Sequence, residues 1–245
     1  MIRFTHIPKT AGYSVYTEFH PPRFNFSKAE ACAPYFYVDA PEVVNGAMFR
    51  RPIDHVFSQY KECRYDVWGK KVTAGTSFPR SSSIANDFET WLRHFQTPTR
   101  DHYRCYHPFN MQTRYMLCNE SSGHNHYMES IDLSDAYAMI DRLQWVGVQH
   151  MFHESMCVLY WKHARWMPAS CDCVKRQHPA HPHVTHNVPR LNGAHSERVL
   201  QMIRNLTRYD QYVFEYATRR ALADIWSVQN LSKRVFLCGV PTARR

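Results

Sequence analysis

Short apolar runs alternate along the chain with stretches in which apolar residues recur every three or four positions, a pattern typical of strands followed by helices. The first apolar run extends from Ile2 to Ile7 and predicts a strand, which ends at Pro8 because proline has no N–H to donate to a sheet. The residues from Val15 to Phe19 predict the start of a helix. Three further apolar runs predict strands over residues 34–38, 43–49 and 145–148.

The helices are predicted from their apolar stripes. Pro52 is favoured in a first helical turn, and Ile53, Val56, Phe57 and Tyr60 behind it form one apolar face. The same kind of stripe predicts helices over residues 87–95, 134–143, 153–165, 196–206 and 209–226.

Two segments, residues 23–34 and 69–83, show no such period and are predicted to be irregular. Strands that alternate with helices indicate an α/β fold with a central, mostly parallel sheet flanked by helices. We expect residues 1–245 to form a single domain, with a peripheral tail at residues 232–245.

Composition narrows the choice of partners. The chain of 245 residues is 44% hydrophobic and can bury a sizeable core, while its formal charge of +9 favours polyanionic partners. Its basic residues are dispersed rather than gathered in blocks, which argues against nucleic acid. No run approaches the roughly 18 apolar residues of a membrane span. Because the first predicted strand begins at Ile2, we expect either that a segment such as a membrane anchor precedes this chain or that the chain is a short-form homologue.

Cysteines and glycosylation sequons favour the secretory pathway. Eight cysteines are spread along the chain without the paired Cys-x-x-Cys spacing of a zinc site, so disulfides are the expected use. Four Asn-x-Ser/Thr sequons begin at Asn25, Asn119, Asn205 and Asn230. The alternative is a cytoplasmic protein with free thiols and unused sequons.

The turn after the first strand is a candidate anion site. Lys9, Thr10, Gly12 and Ser14 lie between the predicted strand and helix. Such a turn directs backbone N–H groups and a helix N-terminus at an anion, and the lysine adds a point charge. An ordinary connection between strand and helix is the alternative interpretation. The Walker A motif requires a glycine before the lysine, and no glycine precedes Lys9. The sequence therefore argues against an ordinary nucleoside triphosphatase.

A second candidate anion site follows the strand predicted at residues 43–49. Arg50 stands at its carboxyl end, where open α/β sheets bind ligands, and Ser58 lies about two turns into the next helix. These two side chains are placed to hold one phosphate from two sides. A solvated arginine and a surface serine are the alternative.

Cys171 and Cys173 are followed by a histidine-rich loop, a combination that could indicate a zinc site. The local spacing matches no structural zinc finger, and interspersed prolines prevent a helix that would align ligands. We therefore predict no metal and a loop beside an anionic substrate, carrying His178, His181, His183 and His186.

The two units at Lys9 and Arg50 together resemble the sulfotransferase family, particularly Golgi carbohydrate sulfotransferases of the heparan sulfate 2-O- and chondroitin/dermatan type. The family's first signature is His-x-Pro-Lys-Thr-small-Gly/Ser-x-Ser, and residues 6–14 read His-Ile-Pro-Lys-Thr-Ala-Gly-Tyr-Ser. Its second is Arg-Asp-Pro followed by Ser-x-Tyr, where this chain has Arg-Arg-Pro at residues 50–52 and Ser-Gln-Tyr at residues 58–60. Arg51 departs from the family's aspartate and adds local positive charge.

Weaker similarity extends over nearly the whole chain. It includes residues 112–114, the predicted strand at residues 146–148 and residues 209–212. The resemblance implies a P-loop-like three-layer fold and a single sulfotransferase-like catalytic domain.

It also implies a sulfuryl donor, 3′-phosphoadenosine 5′-phosphosulfate, with adenosine 3′,5′-bisphosphate as the product and no metal. Lys9 would stabilise the leaving phosphate, and Arg50 and Ser58 would hold the 3′-phosphate. The 5′-phosphosulfate would lie in the turn formed by Lys9, Thr10, Ala11, Gly12, Tyr13 and Ser14.

Relatives place the general base, a histidine or glutamate, between the two signatures. That interval offers Glu18, His20, Glu30, Asp39 and Glu42, none in a matching pattern. We choose His20 because an imidazole titrates near working pH. The implied acceptor is an anionic or neutral glycan in the Golgi lumen. A kinase with a degenerate phosphate loop and a non-catalytic glycan-binding homologue remain the alternatives.

Overall fold

A four-stranded, all-parallel sheet forms the centre of the protein. The computed structural model describes residues 1–19, 24–74, 83–96, 103–120, 130–173 and 196–237. The strands lie in the order β2-β1-β3-β4, and their register places Ile2 between Phe26 and Val44, and Gly46 beside Trp145. Their bounds are Ile2–Thr5 for β1, Phe26–Ala29 for β2, Val44–Phe49 for β3 and Trp145–Val148 for β4.

Ten α-helices are described around this sheet, so the predicted α/β class with a parallel sheet flanked by helices is confirmed. The helices before β4 are α1 (Gly12–Phe19), α2 (Ala33–Phe36), α3 (Pro52–Tyr65), α4 (Val67–Val72), α5 (Ile84–His94), α6 (Met111–Leu117) and α7 (Leu133–Arg142). Those after it are α8 (Phe152–Ala164), α9 (Glu197–Leu206) and α10 (Arg208–Ser232).

Two hydrophobic cores, one on each face of the sheet, make the arrangement three-layered. Alternate side chains of β3 divide between them, since Ala47 and Phe49 enter one core while Val44 and Met48 enter the other. The first core contains apolar residues of α3, α5, α6, α7 and α9, and the second contains those of α1 and α8. The long helix α10 supplies side chains to both.

Three segments differ from the sequence prediction. Residues 34–38 were predicted as a strand, but α2 begins at Ala33, because Pro34 suits the first helical turn and lacks the N–H that a ladder needs. The segment 23–34, predicted irregular, contains the edge strand β2, whose four residues are all half-buried and therefore show no alternation. The segment 69–83, also predicted irregular, overlaps α4, which Asp66 caps by accepting from the N–H of Trp68.

Disulfides join distant parts of the chain. Cys32 is bonded to Cys118, Cys63 to Cys105 and Cys157 to Cys171. These bonds are compatible with a secreted or lumenal protein. Across the described ranges, no helix combines the length and apolar character required to cross a bilayer.

The first residues of the predicted peripheral tail pack against the sheet layer. Phe236 is fully buried in the core around α8, and its N–H donates to the side-chain oxygen of Gln229. The rest of the tail, residues 238–245, lies outside the described residues.

Candidate functional site

Four ionisable residues follow the four strands at the carboxyl edge of the sheet. Glu30 comes directly after β2, Arg50 directly after β3 and His150 shortly after β4, while Lys9 lies in the turn after β1. Because all strands are parallel and their order is β2-β1-β3-β4, this edge carries Glu30, Lys9, Arg50 and His150 in that spatial order. The edge is therefore the candidate functional site.

The turn between β1 and α1 has the shape of an anion cradle. Lys9 and Ala11 adopt left-handed backbone angles, with φ of 65° and 78°. The Thr10 hydroxyl donates to the carbonyl of Ile7 at 2.8 Å, which holds the turn closed from inside. Val15 donates its N–H to the Ala11 carbonyl as the first hydrogen bond of α1, so the N–H groups ahead of it have no intrahelical acceptor. Such N–H groups favour a bound anion.

Gly12 is required by the approach of His6. A Cβ atom at position 12 would lie 1.9 Å from Cδ2 of the imidazole and 2.2 Å from its Nε2. The His6 side chain is only 14% exposed, and burial, together with the charges of Lys28 and Lys9, lowers its pKa to about 3. A neutral imidazole thus fills the space beneath the cradle, which explains why histidine and glycine occur together in this turn.

Helix α3 packs beside the cradle through residues at both of its ends. Near its start, His55 is fully buried and donates from Nε2 to the Pro8 carbonyl at 2.7 Å. Near its end, Glu62 accepts from the Lys9 ammonium at 2.6 Å. Ser58 lies between these contacts, one turn before Glu62, and is half-buried. Ser58 is therefore on the stretch of α3 between two residues that contact the turn of Lys9, and its role in binding an anion stays a prediction.

Arg50 is positioned by backbone contacts and keeps hydrogen-bonding capacity. Its guanidinium donates to the Lys9 carbonyl at 3.0 Å, so the two predicted anion sites are in direct contact. Its Nε is buried and, within the described part of the chain, has no hydrogen-bond partner, and Arg50 forms no salt bridge there. Burial lowers the pKa of the guanidinium from its usual value, and the nearby charge of Asp54 acts in the opposite direction. A cation held in this way favours an anionic ligand.

A hydrogen-bonded chain from α10 supports Arg50. The side chain of Gln112 accepts from the Arg50 N–H at 2.8 Å and donates to the Arg50 carbonyl at 2.9 Å. Asp210 in turn accepts from the N–H and the hydroxyl of Thr113, at 2.8 and 2.7 Å. Burial of Asp210 raises its pKa to about 6, while these hydrogen bonds lower it. Segments 112–114 and 209–212, which the sequence singled out separately, thus meet behind the site.

Glu30 is the carboxylate beside the cradle. It is 38% exposed in its side chain and lies 3.4 Å from Nδ1 of His6. Burial raises its pKa, with the charges of Lys28 and Lys9 acting in the opposite direction and that of Glu62 adding to the rise. A partly buried carboxylate next to a lysine and an anion cradle has the properties of a general base.

The sequence prediction and the described structure overlap only in part at this site. The cradle residues 9–14 and Arg50 meet, while His20, the predicted base, lies outside the described residues. Glu62 was not predicted, although its spacing of four from Ser58 on one helix was a usable signal. Glu30 was among the candidates, and recognition of β2 would have placed it at the strand end.

A separate group of possible metal ligands lies in the second hydrophobic core, the one that contains residues of α1 and α8. The ligand atoms of His153, Cys157 and Cys171 are within 4.8 Å of one another, but the two cysteines are joined as a disulfide and offer no thiolates. They line a cleft of about 300 Å³ with Glu18 and Tyr160. The predicted histidine loop, residues 178–186, lies outside the described residues.

The carboxyl edge therefore combines an anion cradle, an arginine that forms no salt bridge among the described residues and a carboxylate of raised pKa. These groups can hold two anionic groups side by side and accept a proton next to them. Comparison with known proteins does not extend this description: no protein-family model, no curated protein and no solved structure matches the chain.

Proposed function

We propose that this protein is a sulfotransferase that moves a sulfuryl group from 3′-phosphoadenosine 5′-phosphosulfate to a hydroxyl of a carbohydrate acceptor. The observation that supports the proposal is the direct contact between the two candidate anion sites, in which Arg50 donates to the carbonyl of Lys9 at 3.0 Å. A donor with phosphates at its 3′ and 5′ positions requires two such sites at a fixed spacing.

The residues of the edge fit this donor. The cradle from Lys9 to Ser14 would hold the 5′-phosphosulfate, since its N–H groups and lysine match a compact anion. Arg50 and Ser58 would hold the 3′-phosphate, because the positive charge of the Arg50 guanidinium and the Ser58 hydroxyl both suit phosphate oxygens. The absence of the Walker A spacing fits the same choice, because this turn differs from that of nucleoside triphosphatases.

Two residues beside the cradle would act in the transfer, Glu30 on the acceptor and Lys9 on the leaving group. When bound, the donor supplies a sulfuryl group whose bond to the bridging phosphate oxygen breaks as the acceptor oxygen bonds to sulfur. Glu30 takes the proton that the acceptor hydroxyl loses. Lys9 stabilises the negative charge left on the bridging oxygen, and its ammonium has three donors, so it can keep Glu62 as a partner.

Disulfides and glycosylation sequons support a lumenal location, which we propose to be the Golgi. Three described disulfides require an oxidising compartment to persist. All four sequon asparagines are exposed, as glycosylation requires. Carbohydrate acceptors are abundant in that compartment.

Donor binding tests the proposal directly. Calorimetric titration with adenosine 3′,5′-bisphosphate is expected to show one tight site, and ATP is expected to show none. The substitution Arg50→Ala removes a charged hydrogen bond of about 1.5–3 kcal/mol, which weakens bisphosphate binding roughly 10- to 150-fold. The matched control is Arg142→Ala, since Arg142 is exposed at the end of α7, three residues before β4 and therefore toward the opposite edge of the sheet.

Each rival function has its own signature in this titration. Binding of ATP in preference to the bisphosphate would support a kinase with a degenerate phosphate loop and refute the sulfotransferase. Glycan binding without transfer of radiolabelled sulfate from the donor would support a non-catalytic homologue. Equal bisphosphate affinities of the Arg50 and Arg142 variants would remove Arg50 from the site.

A further inference from the structure

The backbone of Lys9 is held in a conformation that lysine rarely adopts. Its φ of 65° lies in the left-handed region, which a residue with a Cβ atom normally avoids. Such a conformation persists only where the contacts around the residue enforce it. The peptide groups on the two sides of Lys9 set the direction of the N–H groups that follow in the cradle. Whatever fixes them therefore also shapes the candidate anion site.

Side chains bind both of these peptide groups. The guanidinium of Arg50 donates to the Lys9 carbonyl at 3.0 Å, on the side toward α1. On the other side, the carbonyl oxygen of Pro8 lies 2.7 Å from Nε2 of His55. Because φ of Lys9 is the rotation between Lys9 and the peptide group that carries the Pro8 carbonyl, this hydrogen bond constrains φ directly. Arg50 already has a place in the proposed function, whereas His55 has none.

The His55 imidazole is fixed in the state that this contact requires. The residue is 0% exposed, and burial is the largest cause that lowers its pKa to about 3, so the ring is neutral. A carbonyl oxygen only accepts, and the single ring hydrogen is therefore on Nε2. Nδ1 is then an acceptor, and the side-chain nitrogen of Gln59, one turn further along α3, lies 3.2 Å from it. Gln59 is also 0% exposed, so the pair holds the ring in place.

We propose that His55 is a positioning residue for the sulfuryl donor, because its hydrogen bond to the Pro8 carbonyl keeps Lys9 in the left-handed conformation. Without that bond the peptide group between Pro8 and Lys9 can rotate toward a negative φ, which is the more stable range for lysine. The cradle N–H groups would then point away from a bound anion. Since the ring is fully buried, His55 acts through the backbone and not by contact with the donor. The inference rests on the proposed function for the identity of that ligand.

The test combines NMR spectroscopy and calorimetry on the full chain. Long-range ¹⁵N–¹H spectra of the wild type should place the imidazole hydrogen of His55 on Nε2, and this measurement needs no variant to fold. His55→Phe keeps a ring and removes the donor, while His55→Gln keeps an N–H of similar reach. The backbone shifts of Lys9, which report the sign of φ, should change in the first variant. Binding of adenosine 3′,5′-bisphosphate to it should weaken roughly 2- to 12-fold, as for one lost hydrogen bond, and recover in part in His55→Gln.

His107→Phe is the matched control for a loss of stability alone. His107 is another imidazole whose pKa burial lowers to about 3, and its Nδ1 accepts from the N–H of Phe109 at 3.2 Å. Its ring packs against Phe95 in the first core, 4.7 Å away between centroids. Measured below the unfolding midpoints of both proteins, this variant should keep the bisphosphate affinity and the Lys9 shifts of the wild type.

The two kinds of measurement separate this inference from the proposed function. Altered Lys9 shifts with weaker bisphosphate binding in His55→Phe support both. Altered shifts in a protein that does not bind the bisphosphate support the hold of His55 on the turn and refute the donor. The positioning role is overturned by a ring hydrogen on Nδ1, by Lys9 shifts that His55→Phe leaves unchanged, or by wild-type bisphosphate binding that this variant retains in full. Equal losses of affinity in the His55 and His107 variants would overturn it as well.

Discussion

The contact between Gly12 and His6 allows the cradle to be tested by a single added methyl group. In Gly12→Ala the new Cβ would lie 1.9 Å from Cδ2 of His6, whereas carbon atoms pack at about 3.5–4.0 Å. The imidazole must therefore move by about 1.5 Å or more, or the turn must open. The ring has little freedom, because it is buried, stacks on Phe4 at 6.0 Å and lies 3.4 Å from Glu30.

Overpacking of this kind costs about 1–3 kcal/mol of unfolding free energy. Each 1 kcal/mol lowers Tm by about 2–4 °C in a chain of this size. We expect this loss in urea unfolding of Gly12→Ala and, because the cradle shifts, weaker binding of adenosine 3′,5′-bisphosphate in calorimetry. The decisive measurement is the same substitution in a His6→Ala background, where the space is empty. There it should be neutral or slightly stabilising, since alanine is the better helix former.

The resulting double-mutant cycle isolates the clash from other effects. A coupling energy of about 1–3 kcal/mol between positions 6 and 12 is expected for residues in direct contact. If Gly12→Ala costs the same free energy in both backgrounds, the steric explanation of the glycine is wrong. If the cost disappears with His6 but bisphosphate binding stays weak, the methyl group acts on the ligand itself.

Two further substitutions test catalysis and stability together. Lys9→Ala is expected to lower sulfuryl transfer by about 10²–10³-fold, as loss of a charge-stabilising donor does, and equal turnover in both proteins would contradict the role of Lys9. It should also lower the unfolding midpoint, because it leaves the partly buried Glu62 carboxylate without its lysine. Glu30→Gln should abolish most transfer yet stabilise the fold at neutral pH. Burial raises the folded-state pKa of Glu30 above 4.5, so ionisation of Glu30 costs the folded state free energy as pH rises through that pKa. The gain should therefore be present at pH 7 and absent below about pH 4, where both states are protonated; urea unfolding at the two pH values measures it, and the same gain at both would refute the raised pKa.

The strands and helices with a strong apolar pattern were predictable from the sequence, whereas the edge strand β2 was not. β3 and β4 are buried on both faces and, apart from Asn45 in β3, consist of apolar residues and glycine, so their sequence identifies them. β2 carries Phe, Ser, Lys and Ala, all half-buried, and it is a strand only because β1 supplies a partner. That pairing is tertiary information, and periodicity does not contain it.

Some residues of the candidate site could also be predicted from the sequence, and others could not. Lys9 and Arg50 stand next to strands that the sequence reveals, and both were predicted. Glu62 reaches Lys9 because α3 packs beside the turn after β1, where His55 also binds the Pro8 carbonyl, and no local pattern predicts that packing. The choice of His20 as base followed from its pKa alone, whereas Glu30 is favoured by its position at the end of a strand that was missed.

The order of the strands determines on which side of Lys9 the proposed donor and acceptor would bind. Because β1 lies between β2 and β3, Lys9 has Glu30 on one side and Arg50 on the other. A donor with two anionic groups can then occupy the Lys9 and Arg50 side, while the hydroxyl approaches from the Glu30 side, opposite the leaving phosphate. With β2 placed next to β4 the same residues would be present, but the base would lie behind the 3′-phosphate site and could not reach the attacking oxygen. The net charge of +9 therefore says less about this acceptor than the local order of one carboxylate, one lysine and one arginine.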